Sequence, residues 1–265
     1  MKLLSVSGIV IALTIIPAVP SSAVEYLNGI EWDAPPIVTP GPTNSDPPSD
    51  ATVLFGKASD IVNWKNGDRW TTDGKILIAG QGAITSKQEF GDCQVHVEWS
   101  APVPAVGEGQ GRGNSGIFLM GRYEIQVLDS FQNETYFDGQ AGAIYKQTPP
   151  AANAMRPPGE WNTYDIYWTG PRFDDAGQLT SPAFITAVHN GVLILNHFEL
   201  QGDTPYNRPP AYEPHPPVGP ISIQDHKNPV RFRNIWVREF SPAKGEQVKA
   251  PFLRDRKGNE VPIED

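Results

Sequence analysis

Between Val53 and Phe240 the chain consists of short segments in which apolar and polar residues alternate. The clearest examples are Gln94–Trp99 and the first five residues of Tyr123–Asp129. A period of two is that of a β-strand with one buried face, and no segment has a sustained helical period. The pattern therefore predicts a protein built from strands.

Turn-forming residues separate these segments at short intervals. Asn190-Gly191 stands directly before Val192–Asn196, and Asp73-Gly74 stands before Ile78. Asn-Gly and Asp-Gly between apolar runs indicate tight hairpins. Further strands are predicted at Gly116–Met120, Tyr164–Trp168, Ala183–Val188, Ile221–Gln224 and Val230–Phe240. Because turns rather than crossover helices join the strands, we expect an all-β fold, a two-sheet antiparallel jelly-roll sandwich.

The N-terminal residues 1–23 have the pattern of a secretory signal peptide. Lys2 precedes an uncharged apolar run, and small residues lead to a cleavage point after Ala23. The alternative is an uncleaved membrane anchor. No later segment has the ~20 apolar residues of a membrane helix. We therefore expect export, to the periplasm or the medium, with no membrane span after signal cleavage.

Composition divides the rest of the chain into three parts. Residues 24–50 carry repeated prolines between Ser, Thr and Asp and are expected to form an extended linker or arm. Residues 51–240 are predicted to form one globular domain, which is enough chain for a core of ordinary size. Residues 241–265 are charged and aperiodic and are expected to form a surface tail.

The charge pattern limits which binding partners and cofactors are expected. The net charge is −9 and no stretch concentrates Lys and Arg, so nucleic acid is not an expected partner. The glycine-rich segment 107–116 lacks the Lys and the following helix of a phosphate-binding loop, so no nucleotide cofactor is expected. That loop instead presents Arg112 and Asn114. The lone Cys93 is expected to be a buried small residue.

Two strands carry an unusual polar face. His96 and Glu98 alternate with apolar residues on one strand, and Glu124 and Gln126 do so on another. If the two strands are neighbours in one concave sheet, these side chains converge on a single polar cleft. The alternative is an ordinary solvated sheet face.

A second candidate site is a strand end that carries Asp225 and His226. An adjacent Asp and His supply a base, or a metal ligand with its partner. The alternative is a turn in which Asp225 caps the backbone and His226 faces water. On the next strand, Arg231 and Arg233 share a face suited to gripping oxygen atoms or to pairing across strands.

The sequence lacks a serine nucleophile elbow and a His-Glu-x-x-His zinc motif. A pair of carboxylates for ordinary glycoside hydrolysis could be drawn from Glu98, Glu124, Asp129 and Asp165. Their separation does not follow from sequence spacing, so this possibility stays open.

Several ordered motifs resemble those of the 3-keto-disaccharide hydrolase domain family. The longest is the run from Gly113 to Ser130, GNSGIFLMGRYEIQVLDS. Later blocks follow in order at Gly142–Tyr145, Gly159–Asn162, His189–Val192, Gly219–His226 and Phe232–Ile235. One departure is Lys227, where a glycine commonly follows the histidine. The resemblance covers Val53 to Phe240.

The resemblance implies a concanavalin-like jelly roll and activity on glycosides already oxidised to a ketone at C3. A base would remove the acidified C2 proton, the C1 substituent would leave, and water would add back. The residues at matching positions suggest roles for this chain. His226 or Glu124 would be the base, with Asp225 orienting or coordinating. Arg112 and Arg233 would stabilise the enediolate, while Asn114, Gln126, Tyr145 and Trp161 would bind the sugar.

A divalent metal ion fits the same chemistry, because it would polarise the ketone and a hydroxyl together. His226, Glu124 and Glu98 are its predicted ligands. Two alternatives to the 3-keto-glycoside enzyme remain. One is a non-catalytic, lectin-like carbohydrate-binding module, and the other is a conventional two-carboxylate glycoside hydrolase.

Overall fold

The computed structural model describes residues 25–263. This part of the chain divides into two compact units, a larger one of residues 37–241 and a smaller one of residues 25–36 and 242–263. The predicted signal peptide, residues 1–23, lies outside the described residues.

Short strands make up most of both units. In chain order they are β1 (Glu25–Leu27), β2 (Ile30–Trp32), β3 (Thr52–Phe55), β4 (Trp64–Lys65), β5 (Thr71–Asp73), β6 (Ile76–Ile78), β7 (Ile84–Phe90), β8 (Cys93–Ser100), β9 (Ser115–Leu119), β10 (Tyr123–Val127), β11 (Asn162–Thr169), β12 (Arg172–Phe173), β13 (Leu179–Ser181), β14 (Phe184–His189), β15 (Val192–Glu199), β16 (Gly219–Ile223), β17 (Arg231–Glu239), β18 (Gly245–Gln247), β19 (Phe252–Arg254) and β20 (Glu260–Pro262). The helical segments in the described part are 3₁₀ turns at Ala58–Asn63, Gly67–Arg69, Gly109–Gly111 and Phe137–Gly139.

Two antiparallel sheets form the larger unit. The first has the order β15-β14-β11-β8-β17-β6-β5, with β3 paired to β17, and the second has the order β10-β9-β16-β7-β4. The strands β12 and β13 pair separately. This arrangement confirms the predicted all-β, two-sheet antiparallel sandwich.

The core lies between the two sheets. Val95 and Val97 from the first sheet, and Ile117 and Ile125 from the second, are fully buried in one cluster. Burying each such side chain contributes about 1.5–3 kcal/mol. The hydroxyl group of Tyr164 crosses the core and donates to the backbone oxygen of residue 126 at 2.9 Å.

The predicted hairpin at Asn190-Gly191 is confirmed. His189 pairs with Val192, so the connection between β14 and β15 has two residues. Both have positive φ, 52° for Asn190 and 82° for Gly191. A two-residue turn of this kind needs positive φ at both positions, which Asn and Gly adopt most readily.

The smaller unit differs from the extended arm and aperiodic tail that the sequence predicts. In it β1 pairs with β19, β19 with β20, and β18 with β2. The first proline of residues 25–50 is Pro35, which follows both N-terminal strands. Nothing in the sequence of β1 and β2 therefore prevents ladder hydrogen bonds.

Residues 37–50 belong to the larger unit, where they contact the first sheet. The backbone oxygen of Ser45 accepts hydrogen bonds from Asn234 Nδ2 at 2.7 Å and Trp236 Nε1 at 3.0 Å. Asp50 binds the guanidinium group of Arg238 with both carboxylate oxygens. No helix within residues 25–263 is long and apolar enough to cross a membrane.

Candidate active site

A pocket of about 520 Å³ opens on the outer face of the second sheet. This volume is within the range of small-molecule sites. Phe118 on β9 and Glu124 and Gln126 on β10 alternate with core residues and therefore face outward, into the pocket. Other lining residues come from loops and strand ends: Gln110, Asn114, Tyr136, Tyr145, Thr204, Tyr206, Gln224 and His226. We call this cavity the Glu124 pocket.

Glu124 is the carboxylic acid of this pocket. Only 4% of its surface is exposed, and its backbone N–H donates to Thr204 Oγ1 at 2.9 Å. Burial removes water from the carboxylate and raises the pKa of Glu124 to about 8. A carboxyl group with such a pKa can both take and give a proton near neutral pH.

The side-chain amide of Gln126 can form a hydrogen bond with Glu124 whether the carboxyl group is ionised or protonated. It approaches Oε1 of Glu124 to 3.0 Å. With its nitrogen on that side, the amide donates to Oε1 and to the carbonyl of Ser115 at 3.2 Å. Turned over, its nitrogen donates to Gln110 Oε1 at 3.1 Å and Asn114 Oδ1 at 3.3 Å. Its oxygen then faces Glu124 and can accept a hydrogen bond from the protonated acid.

Two phenols form another wall of the pocket. The hydroxyl groups of Tyr136 and Tyr145 lie 2.8 Å apart. Burial and this hydrogen bond raise the pKa of Tyr145, so its phenol remains protonated and can donate to a ligand. The ammonium group of Lys146 lies 3.5 Å above the ring of Tyr136, which fixes the ring by a cation–π interaction.

His226 is exposed at the rim of the Glu124 pocket. Its neighbour Asp225 does not line the pocket. Asp225 Oδ2 accepts from the backbone N–H of Gly82 at 2.9 Å, and Oδ1 accepts from that of Lys227 at 2.6 Å. The structure thus places Asp225 in the turn-capping position considered above, and leaves His226 free to meet a ligand.

Five of the predicted site residues come together in this pocket: Glu124, Gln126, Asn114, Tyr145 and His226. Arg112 lies behind it. Its Nε is 2.8 Å from Asp129 Oδ2, and its guanidinium group also donates to the backbone oxygen of Phe131. Arg112 therefore supports the loop rather than facing the pocket.

Glu98, Arg233 and Trp161 are not brought to this pocket. Glu98 and Arg233 pair across β8 and β17 on the outer face of the first sheet, 2.6 Å apart. The guanidinium carbon of Arg233 stacks 4.0 Å over the ring of Trp161. The condition for one shared cleft, that β8 and β10 be neighbours in one sheet, is not met, because each belongs to a different sheet and their polar faces point in opposite directions.

The predicted metal ligands are consequently not assembled. His226 and Glu124 border the pocket, but Glu98 lies on the far side of the core. Within residues 25–263, no three His, Cys, Asp or Glu side chains form a group that could hold a metal ion. The donor set among these residues therefore does not fit a metal centre with three protein ligands.

Sequence reasoning missed several lining residues, namely Gln110, Phe118, Tyr136, Thr204, Tyr206 and Gln224. Phe118 could have been found, because it is two residues from Gly116 on the same face of β9. Tyr136, Thr204 and Tyr206 lie outside the strands, where no period indicates direction.

The sequence matches one family of known proteins. The family described as the 3-keto-alpha-glucoside-1,2-lyase-like domain matches residues 50–238. No curated protein matched the sequence.

Solved structures resemble the chain over most of its length. A candidate glycosyl hydrolase from Parabacteroides distasonis ATCC 8503 is 43% identical in sequence and has a TM-score of 0.75. The alignment covers 78% of this chain and 93% of that protein. Two more candidate glycosyl hydrolases from the same organism are 21% and 20% identical, with TM-scores of 0.53 and 0.52. Each alignment covers 72% of this chain, and the two cover 99% and 94% of those proteins. The latter two support the fold alone. Because the family match spans well over half of the sequence, the chain belongs to the family of 3-keto-alpha-glucoside-1,2-lyase-like domains.

Proposed function

We propose that this protein cleaves glycosides whose sugar carries a ketone at C3, by removing the C2 proton and expelling the C1 substituent. Family membership supports a carbohydrate-active enzyme. The observation that carries the finer proposal is Glu124, a buried carboxyl group whose pKa of about 8 suits proton abstraction next to a ketone.

The reaction balances without an oxidant or reductant. The base takes the C2 proton, and the electrons of that C–H bond form the double bond of an enediolate with charge on O3. The enediolate electrons then expel the C1 substituent, whose oxygen takes a proton. The products are a 2-hydroxy-3-keto-glucal and the free alcohol, and addition of water to the former gives 3-keto-glucose.

We assign the base to Glu124 and the proton donor for the leaving oxygen to His226 at the rim. The arginines expected to stabilise the enediolate are engaged elsewhere, Arg112 with Asp129 and Arg233 with Glu98. The hydroxyl of Tyr145 is a donor inside the pocket, whereas the amide nitrogen of Asn114 donates to the backbone oxygen of Gln110 at 2.7 Å. Hydrogen bonds aimed at a developing oxyanion in a water-poor site can lower the barrier by several kcal/mol.

A conventional glycoside hydrolase is a poorer fit. Such enzymes hold two carboxyl groups about 5–9.5 Å apart across the scissile bond. Glu124 is the only carboxylic acid among the described residues that line the pocket. The other acids considered from the sequence, Glu98 and Asp165, lie on the first sheet, and Asp129 is paired with Arg112.

A lectin-like module is the second alternative, and it does not require the features of Glu124. Sugar binding needs hydrogen-bonding groups and ring faces, which the pocket has. It does not need an acid buried without a charged partner, which destabilises the fold once ionised. The buried acid is therefore the feature that favours catalysis over binding alone.

The test compares a methyl 3-keto-glucoside with its unoxidised parent, with and without EDTA. Turnover of the keto form alone, with solvent deuterium incorporated at C2 and a rate reduced by deuterium at C2 of the substrate, would support elimination. Equal cleavage of the parent would support ordinary hydrolysis. Binding of either sugar without cleavage would support the lectin-like module, and loss of activity in EDTA would require a cation.

Glu124→Gln is the decisive variant, because it keeps the shape of the side chain and removes the base. Its matched control is Glu89→Gln, an exposed glutamate on β7 of the same sheet. We expect Glu124→Gln to lose activity by two orders of magnitude or more, about the contribution of a general base. Glu89→Gln should retain it.

We also propose that the protein is exported. The motivation is the basic, apolar and small-residue order of residues 1–23. The intact mass of protein recovered from the periplasm or medium of the producing cell would reveal loss of these residues. Full-length protein retained in the cytoplasm would contradict export.

A further inference from the structure

We propose that the leaving group is bound in a second, apolar pocket beside the Glu124 pocket, so that the preferred substrates are 3-keto-glycosides of apolar, ring-bearing alcohols or phenols rather than of a second sugar. This inference rests on the proposed function, whose substrate class it narrows.

The second pocket has a volume of about 630 Å³ and lies against the segment that follows β8. Its apolar lining includes Pro102, Val103, Pro104, Val106 and Pro229. The side chains of Val103 and Val106 are 66% and 71% exposed. We call this cavity the Pro-Val pocket. Two exposed valines among prolines make a rigid apolar surface that contacts water when no ligand is bound. An apolar group that covers this surface removes it from water, which is favourable.

The Pro-Val pocket adjoins the Glu124 pocket. His226 borders both cavities. One loop also serves both, since Asn114 lines the Glu124 pocket while Gly111 and Gly113 line the Pro-Val pocket. The backbone N–H of Gly113 donates to Asn228 Oδ1 at 2.8 Å, which ties this loop to the turn carrying His226.

Gly111 leaves open space on the loop that serves both pockets. A Cβ atom built on Gly111 would meet no other atom within 4 Å, so the space next to it is open. Gly111 therefore does not obstruct a leaving group that extends along this loop. In the proposed reaction the C1 oxygen lies at His226 when C2 faces Glu124, and its substituent then extends into the Pro-Val pocket.

Three of the polar side chains that line the Pro-Val pocket are engaged, whereas Lys227 and His226 are exposed. Arg112 and Asp129 form an ion pair, and Asn228 Nδ2 donates to the backbone oxygen of residue 226 at 2.8 Å. Proline and valine side chains offer no partner for sugar hydroxyl groups. The hydroxyl groups of a second sugar would lose hydrogen bonds to water when they pack against these side chains. An aromatic or alicyclic ring has no such hydrogen bonds to lose.

The experiment compares benzyl with methyl 3-keto-glucoside, whose leaving alcohols have similar acidity, and includes a 3-keto-disaccharide. We expect kcat/KM to be about tenfold or more higher for the benzyl substrate. Val106→Asp should abolish this advantage, so that the benzyl and methyl substrates have equal kcat/KM. Val62→Asp is the matched control, because Val62 is 65% exposed and lines neither pocket.

Gly111→Leu supplies a variant that fills the loop beside the Pro-Val pocket, since its Cβ atom enters open space. It should lower kcat/KM for the benzyl substrate more than for the methyl substrate. Equal wild-type kcat/KM for benzyl and methyl substrates, or a benzyl advantage that survives Val106→Asp, would overturn the inference. So would a preference for the disaccharide.

Failure of the proposed function has a different signature. If no 3-keto-glycoside is consumed, the unoxidised benzyl and methyl glucosides are compared by calorimetry. If the benzyl glucoside binds more tightly and Val106→Asp loses this difference, the apolar subsite is supported although the proposed reaction is rejected. Equal binding of the benzyl and methyl glucosides would reject the apolar subsite as well.

Discussion

The carboxyl group of Glu124 occupies the space that a side chain at Gly116 would need. A Cβ atom built on Gly116 would stand 2.0 Å from Oε1 of Glu124 and 2.8 Å from its carboxyl carbon. The two residues lie on neighbouring strands, with Gly116 opposite Gln126 in the register of β9 and β10. The glycine thus creates the niche in which the acid is buried.

We expect Gly116→Ala to displace that carboxyl group and lower kcat/KM on a 3-keto-glucoside by about 100-fold, the effect of moving a reacting group by 1 Å. Gly111→Ala, whose Cβ meets nothing within 4 Å, is the control and should retain activity. Urea unfolding of both variants separates displacement from loss of fold. Full activity in a folded Gly116→Ala protein would argue that Glu124 is not positioned by this contact.

The rate should follow the ionisation of Glu124, because the base must be deprotonated. With its pKa at about 8, and with removal of the C2 proton limiting the rate, we expect kcat/KM to rise with pH from about 6 and to level above pH 8. The enzyme-free rate must be subtracted at each pH, since alkali also decomposes keto sugars. A rate that falls over this range would assign Glu124 as an acid instead.

The same group should also control stability. Because the folded state holds its pKa at about 8 against an ordinary 4.5, the folded protein binds this proton more tightly than the unfolded chain. Stability is therefore lost as pH rises from 4.5 to 8. Glu124→Gln removes this penalty, so its free energy of unfolding relative to wild type should gain about 4 kcal/mol between pH 4.5 and pH 8. Glu89→Gln should show no such gain in urea titrations.

The fold could be predicted largely because alternation is a local property. Gln94–Trp99 corresponds to Cys93–Ser100, and Val230–Phe240 corresponds to Arg231–Glu239. Alternation also identified Glu124 as a side chain that leaves the core. What the sequence predicts at these positions depends only on neighbouring residues along the chain.

Sheet membership could not be predicted in this way. His96 and Glu98 leave the core as Glu124 does, but alternation does not state on which side of the sandwich they emerge. That depends on which strands pair, and β8 pairs with β11 and β17, far along the chain. Loop residues such as Tyr136 have no period at all, so their approach to the pocket follows only from the folded chain.

On the outer face of the first sheet, His96 joins two carboxylates in a buried cluster. Its Nδ1 donates to Asp165 Oδ1 at 2.7 Å, and its Nε2 lies 3.7 Å from Glu98 Oε1. The ring stacks on Trp236 with centroids 5.1 Å apart. Burial alone would lower the pKa of His96, but Asp165 and Glu98 outweigh it and raise the pKa to about 8.

This cluster should stabilise the fold in a pH-dependent way and leave catalysis unaffected. Since the folded pKa of His96 exceeds its ordinary 6.5, its contribution is complete below pH 6.5 and is lost as pH rises through about 8. Asp165→Asn should therefore lower the free energy of unfolding by about 2 kcal/mol at pH 6 and by less at pH 9. Asp68→Asn, at an exposed position, is the control. Equal losses at both pH values would show that His96 is uncharged in the fold, and lost activity would place this face in the reaction.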